Sequence, residues 1–172
     1  MYVFLITAHL IGTILGVGGA TMIEVHLHQA LRNGQISDDE KGLLKMDYMV
    51  VRVGLVIAIL SGFGFLLLYK MTGDTAQMFS PILWTKLAIL IFIAGNTLLL
   101  QARQISIFWG AGISFVSWWL AAIFGIFSTN EVRVDFFGQG SFLSSFLSLM
   151  LTYVALVIIG SVVLHYFRKT VS

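Results

Sequence analysis

The strongest constraint on this chain is that long apolar runs recur along it with only short polar connections between them. About 20 consecutive apolar residues make a helix that crosses the hydrocarbon of a bilayer. Five such stretches occur, at roughly 2–24, 48–69, 82–100, 107–127 and 142–167. In lipid a chain must satisfy its own backbone polar groups, so runs of this length fold as helices. The expected architecture is therefore all-α, an integral membrane bundle of five transmembrane helices forming one domain over 1–172. Composition agrees, with 58% hydrophobic and 10% charged residues, where soluble domains carry about 25% charge.

The first span has no basic residue before it and no small-residue cleavage site after it, which reads as a retained helix rather than a signal peptide. It continues through Arg32 and stops at Asn33-Gly34, a helix-ending pair. Ser37 with Glu40 three residues on forms a capping-box pattern, which predicts a short surface helix leading into the second span. The connections over 71–81, 102–106 and 128–141 are too short for a further domain, and no internal repeat is present. Asn130 to Gly138 alternates in character and is expected to lie across the outer mouth as a lid.

Short loops rich in Lys and Arg stay in the cytoplasm. Arg32, Lys41, Lys45, Arg103, Arg168 and Lys169 fall on one side, and Lys70 and Arg133 on the other. The expected topology is N-terminus outside and C-terminus cytoplasmic, in a multi-pass protein of a bacterial inner membrane. His9 and Lys86 then lie in the outer leaflet, each within about two turns of the surface, where they can share one site.

The first span carries the most pointed chemistry. His9 is followed by Gly12, Gly16, Gly18 and Gly19, and an ionisable ring at that depth needs a partner. At 100° per residue, Gly12, Thr13, Gly16, Gly19 and Ala20 fall within about 80° of His9, so ring and small residues share a face. Ser61-Gly62-Phe63-Gly64 supplies a second small-residue patch at similar depth in span two. Two readings of this pattern stand. A neutral imidazole beside a cleared surface suits an axial ligand to a b-type haem, because a porphyrin is a flat plate. Small residues equally let helices pack closely, with Lys86 reaching to the headgroups and Trp84 in the interfacial aromatic belt. An outer haem would have His9 as its only imidazole, with the sixth position open or taken by Lys86 or a Met.

The other side of the membrane holds Glu24, His26, His28, Asp47, Arg52, Asn96, Gln101, Arg103 and His165. His26 lies about 25 Å from His9 along the helix, so any inner site is separate. His26 and His28 point about 160° apart, and His165 is expected to meet whichever faces the bundle. The functional reading is a second haem or a route for protons; the ordinary one is interfacial contact with headgroups and water. Arg52, inside the span beyond Asp47, is expected to hold a propionate or pair with Glu24. Trp118 and Trp119, near the middle of span four, read as cofactor contacts or as core.

Several classes drop out. Without Cys there is no disulfide, thiolate metal site or iron–sulfur ligation. Copper handling would rest on Met1, Met71 and Met78, a thin set of ligands. No phosphate loop, nucleophile–base pair, paired-carboxylate arrangement or zinc-spaced His motif appears, which argues against hydrolase and kinase chemistry. The basic residues are scattered and the net charge is +2, so there is no footprint for nucleic acid.

Taken together, His9-Leu10-Ile11-Gly12 followed by Gly18-Gly19, Arg52 early in span two, Ser61-Gly62-Phe63-Gly64 later in it, and Trp84-Thr85-Lys86-Leu87 opening span three resemble the HemJ-type membrane protoporphyrinogen oxidases and the related CopD-like family. The likeness covers roughly the first three helices and rests on short motifs. It implies binding of haem b and dependence on a first-helix His and a third-helix Lys, which carry over to His9 as metal ligand and Lys86 as catalytic residue. Two departures stand out: Leu15-Gly16 where that family tends to have Trp, and Gly95-Asn96 where it ends helix three with His. The fifth span is additional. The resemblance thus supports haem binding more than that particular oxidase reaction.

The sequence therefore leads to a b-type haem protein with a redox or electron-transfer function. Gly12, Gly16, Gly19 and Gly62 would make room for the porphyrin, and Arg52 and Lys86 would neutralise propionates or relay protons. As an oxidoreductase it would act on a tetrapyrrole or a quinol drawn from the bilayer. The alternative is a non-enzymatic helical membrane protein, either an accessory subunit of a respiratory or assembly complex or a CopD-like metal handler. There the glycines would pack against another helix, in a homo-oligomer or a larger assembly.

Overall fold

The computed structural model describes residues 1–32, 37–126 and 141–171. Six helices follow in order: α1 Tyr2–Arg32, α2 Asp38–Thr72, α3 Thr75–Met78, α4 Pro81–Gln101, α5 Ile107–Ile126 and α6 Phe142–Val171. Five of them are long and apolar enough to cross a membrane, and α3 is a single turn. The protein is an all-α, multi-pass bundle. The expected stop at Asn33-Gly34 and the expected lid over 130–138 lie outside the described residues.

Local signals explain where the helices begin and end. The Ser37 backbone N–H donates to the Glu40 carboxylate at 2.7 Å, and the Glu40 N–H donates back to the Ser37 hydroxyl at 3.3 Å. That capping box satisfies two donors a helix start leaves open. The short surface helix expected here is instead the first turns of α2, which runs unbroken for 35 residues. No proline interrupts the segment between the Ser37 cap and span two, and Leu44 is buried.

The α2 terminus closes with Gly73 at φ +70°, its N–H on the Lys70 carbonyl and the Asp74 N–H on the Tyr69 carbonyl. This is the paired closure in which glycine is favoured, because a side chain strains at positive φ. The same closure ends α4, with Arg103 N–H to Leu100 O and Gln104 N–H to Leu99 O. There an arginine takes the left-handed position, at φ +56°.

Successive long helices run antiparallel. His9 meets Ser61 and His26 meets Asp47 across α1 and α2. Asn96 reaches the Gly110 carbonyl across α4 and α5, and Tyr153 reaches Ser117 across α5 and α6. The alternation gathers Arg32, Lys41, Lys45, Arg103, Arg168 and Lys169 at one end, hereafter the Arg168 end. Lys70 lies at the opposite, His9 end. Trp118, Tyr153, Ile23, Leu27, Ile89 and Ile93 fill the interior, while large apolar side chains also cover the outside. Helices apolar on all sides are what lipid requires.

Candidate functional site

His9 is held by α2. Its Nδ1 lies 2.9 Å from the Ser61 hydroxyl oxygen, which is itself 2.7 Å from the Ile57 carbonyl and 3.1 Å from the Ala58 carbonyl. A serine hydroxyl has one hydrogen, and these helix carbonyls take it. Ser61 therefore accepts from the Nδ1–H of His9. In the neutral ring that assignment, drawn from the hydrogen-bond network, leaves the lone pair on Nε2. Phe65, one turn beyond Ser61, stands edge-on to the imidazole at 5.9 Å between centroids, with Tyr2 and Tyr69 against its other sides. Nitrogen lone pair and aromatic flank belong to one local arrangement.

α4 carries Lys86 in its second turn, at the same end of the bundle as His9. Gly62 faces the same helix, where an added Cβ would touch Leu87 at 3.6 Å and Leu90 at 3.9 Å. His9 and Ser61 meet across α1 and α2, Gly62 faces α4, and Lys86 stands on α4 at that end.

Gly12, Gly16 and Gly19 of the ladder are covered, while Gly18 has nothing within 4 Å. A Cβ added at Gly12 would sit 2.7 Å from the Ala58 backbone nitrogen, and one at Gly54 would sit 2.7 Å from the Gly16 nitrogen. The α1 and α2 backbones are therefore in direct contact, the close approach that small residues permit in membranes. At Gly16 an added Cβ would fall 2.3 Å from the Trp118 ring, and at Gly19 it would fall 2.8 Å from Val51. The surface these glycines clear is filled by another helix and an indole, so they do not fit as the cradle of a porphyrin. They hold α1 against α2, and that contact aligns His9 with Ser61.

Arg52 follows Val51, at the depth of Gly19, and is exposed. Nine residues separate it from Ser61, about 13 Å along the helix, so it does not join the His9 group. Nor does Arg52 take Glu24. That carboxylate is held by Arg168, which donates from Nε at 2.9 Å and also from Nη2, while Nη1 donates to the Phe108 carbonyl. Arg168 is only 5% exposed. It ties α6 to both α1 and α5, and it belongs with the helix interior rather than with the loop its position in the sequence suggests.

The remaining histidines separate. His26 donates from Nδ1 to Asp47 Oδ2 at 2.6 Å. His165 does not meet it, but stacks on Trp109 with centroids 4.7 Å apart and planes 15° from parallel. His28 is half-buried on α1, and Trp119 donates to Thr21 at 3.3 Å. Tyr48 Oη, Trp118 Nε1 and Ser161 Oγ are buried without a partner among the described residues. Among the described residues, no group of three or more His, Asp or Glu could hold a metal ion. A haem iron needs only axial ligands.

Comparison with known proteins adds nothing to this geometry: no family model matches the chain, and neither curated proteins nor solved structures match it.

Proposed function

We propose that the protein is a b-type haem-binding membrane redox protein in which His9 is the axial ligand through Nε2. The observation that carries this reading is the His9–Ser61 hydrogen bond, which occupies Nδ1 and leaves the other ring nitrogen for iron. A hydrogen-bond partner behind a ligating imidazole orients the ring and sets its tautomer. Lys86, on α4 at the same end of the bundle, would neutralise a propionate or hold a proton beside the site. Gly12, Gly16 and Gly19 take no part in holding the porphyrin; their role is to keep α1 and α2 in register. Bound haem b would supply one-electron chemistry, and the substrate or electron partner would be a tetrapyrrole or a quinol from the bilayer. The basic residues gathered at the Arg168 end support an orientation with that end cytoplasmic, in a bacterial inner membrane.

The covered ladder favours a second reading, that of a non-enzymatic subunit whose first helix is built for packing. A reduced-minus-oxidised absorption spectrum of detergent-purified protein, expressed with haem supplied, separates the two. The haem reading expects a Soret band that His9→Ala abolishes while the helical fold persists. Folded wild-type protein with no Soret band overturns it and leaves the packing reading.

A further inference from the structure

On the outside of the α2–α4 seam, at the His9 end, lies a cleft of about 350 Å³. Phe63, Leu67 and Lys70 line it from α2, Met78 and Phe79 from α3 and its cap, and Trp84 from α4. On the α2 helical wheel these three residues sit about 120° to 180° round from Ser61, so the helix itself separates the cleft from His9. It is a second site.

Its walls are fixed by hydrogen bonds. The closure at Gly73 turns the chain, and Asp74 caps α3 by accepting from the Gln77 N–H at 3.1 Å. The Trp84 indole N–H donates to the Met78 carbonyl at 3.0 Å, pinning α4 to the α3 turn. That bond spends the one hydrogen the indole offers. Among the residues lining the cleft, Lys70 alone carries a charge.

A groove of aromatic and aliphatic walls with one cation at its rim complements a hydrocarbon chain with a single anionic head. Trp, Phe and Lys together at a span's end mark the level of the headgroups, where such heads are found. We propose that this cleft is a binding site for an anionic phospholipid. One acyl chain lies along Phe63, Leu67, Phe79 and Trp84, and the headgroup phosphate pairs with Lys70. A zwitterionic lipid brings the same chains and phosphate, but its own ammonium offsets the attraction.

Native mass spectrometry of the detergent-purified protein, with phosphatidylglycerol and phosphatidylcholine of identical acyl chains, tests the site. One lysine at a headgroup predicts about a fivefold preference for phosphatidylglycerol. Lys70→Gln, at an exposed position that leaves folding intact, should remove the preference, and Lys70→Arg should keep it. Trp84→Ala should lower retention of both lipids by opening the wall. Equal retention of the two lipids by the wild type overturns the proposal. So does a preference that persists in Lys70→Gln, or retention unchanged in Trp84→Ala.

Discussion

At the two ends of the α1–α2 seam a histidine of α1 is tied through Nδ1 to a side chain of α2, and the ties differ in kind. His9 donates to a serine hydroxyl at 2.9 Å, among glycines and aromatic rings. His26 donates to a carboxylate at 2.6 Å, at the end that also holds the Glu24–Arg168 pair. One end is organised by a neutral dipole and the other by charges. Because a neutral hydrogen bond contributes about 1 kcal/mol while an unpaired buried charge costs several, cutting the tie at the Arg168 end should cost more than cutting the one at the His9 end.

The largest effect is expected at the ion pair. Arg168→Met strands Glu24 in the interior and should cost about 3–5 kcal/mol, read as thermal unfolding in detergent. The double variant Glu24→Gln/Arg168→Met should recover most of that loss, since no buried charge then lacks a partner. A single variant as stable as wild type would show that the charges do not hold α6 to α1.

Next comes the seam itself. Gly12→Val must push α1 off the α2 backbone and should cost about 1–3 kcal/mol, whereas Gly18→Ala, with nothing within 4 Å, should cost nothing. Equal stability of the two variants would dissolve the distinction between a packed and an open glycine.

Smaller still, Ser61→Ala should cost about 1 kcal/mol and free the His9 ring to exchange tautomers. Nitrogen NMR of the labelled imidazole would detect this as loss of a fixed Nδ1–H. If the wild-type ring already exchanges, Ser61 does not set the tautomer.

The smallest effect distinguishes the two helix closures. Arg103→Gly relieves a left-handed arginine and should gain about 0.5–1 kcal/mol, while Gly73→Ala should lose about 1 kcal/mol. Differential unfolding under matched detergent conditions measures both.

Much of the architecture is legible in the order of the amino acids. The five spans, the capping box at Ser37 and Glu40, and the shared depth of His9, Gly62 and Lys86 follow from run length, side-chain chemistry and rise per residue. Rotation about each helix axis is harder to read. Gly12 and Gly16 share the face of His9, as their spacing says, yet the pattern leaves open whether a porphyrin or a helix covers them. In the folded protein α2 and Trp118 do. Arg52 is the natural partner of Glu24 by position, because both lie within the first two spans. The actual partner is 144 positions away, and no local periodicity links them. Ser61 reads in the sequence only as one member of a small-residue patch, because its role depends on where its hydroxyl points.

The amino-acid order alone decides that this chain becomes a set of lipid-exposed apolar helices, since backbone groups in hydrocarbon admit little else and the connections are too short for another arrangement. It also decides the depth of each polar residue, because depth follows from counting along a helix. Tertiary packing decides which polar residues meet. His9 finds Ser61, Glu24 finds Arg168 and the glycines find a neighbouring backbone only after helices distant in sequence have settled their rotation and spacing. Those two quantities are set by how side chains fill space between helices.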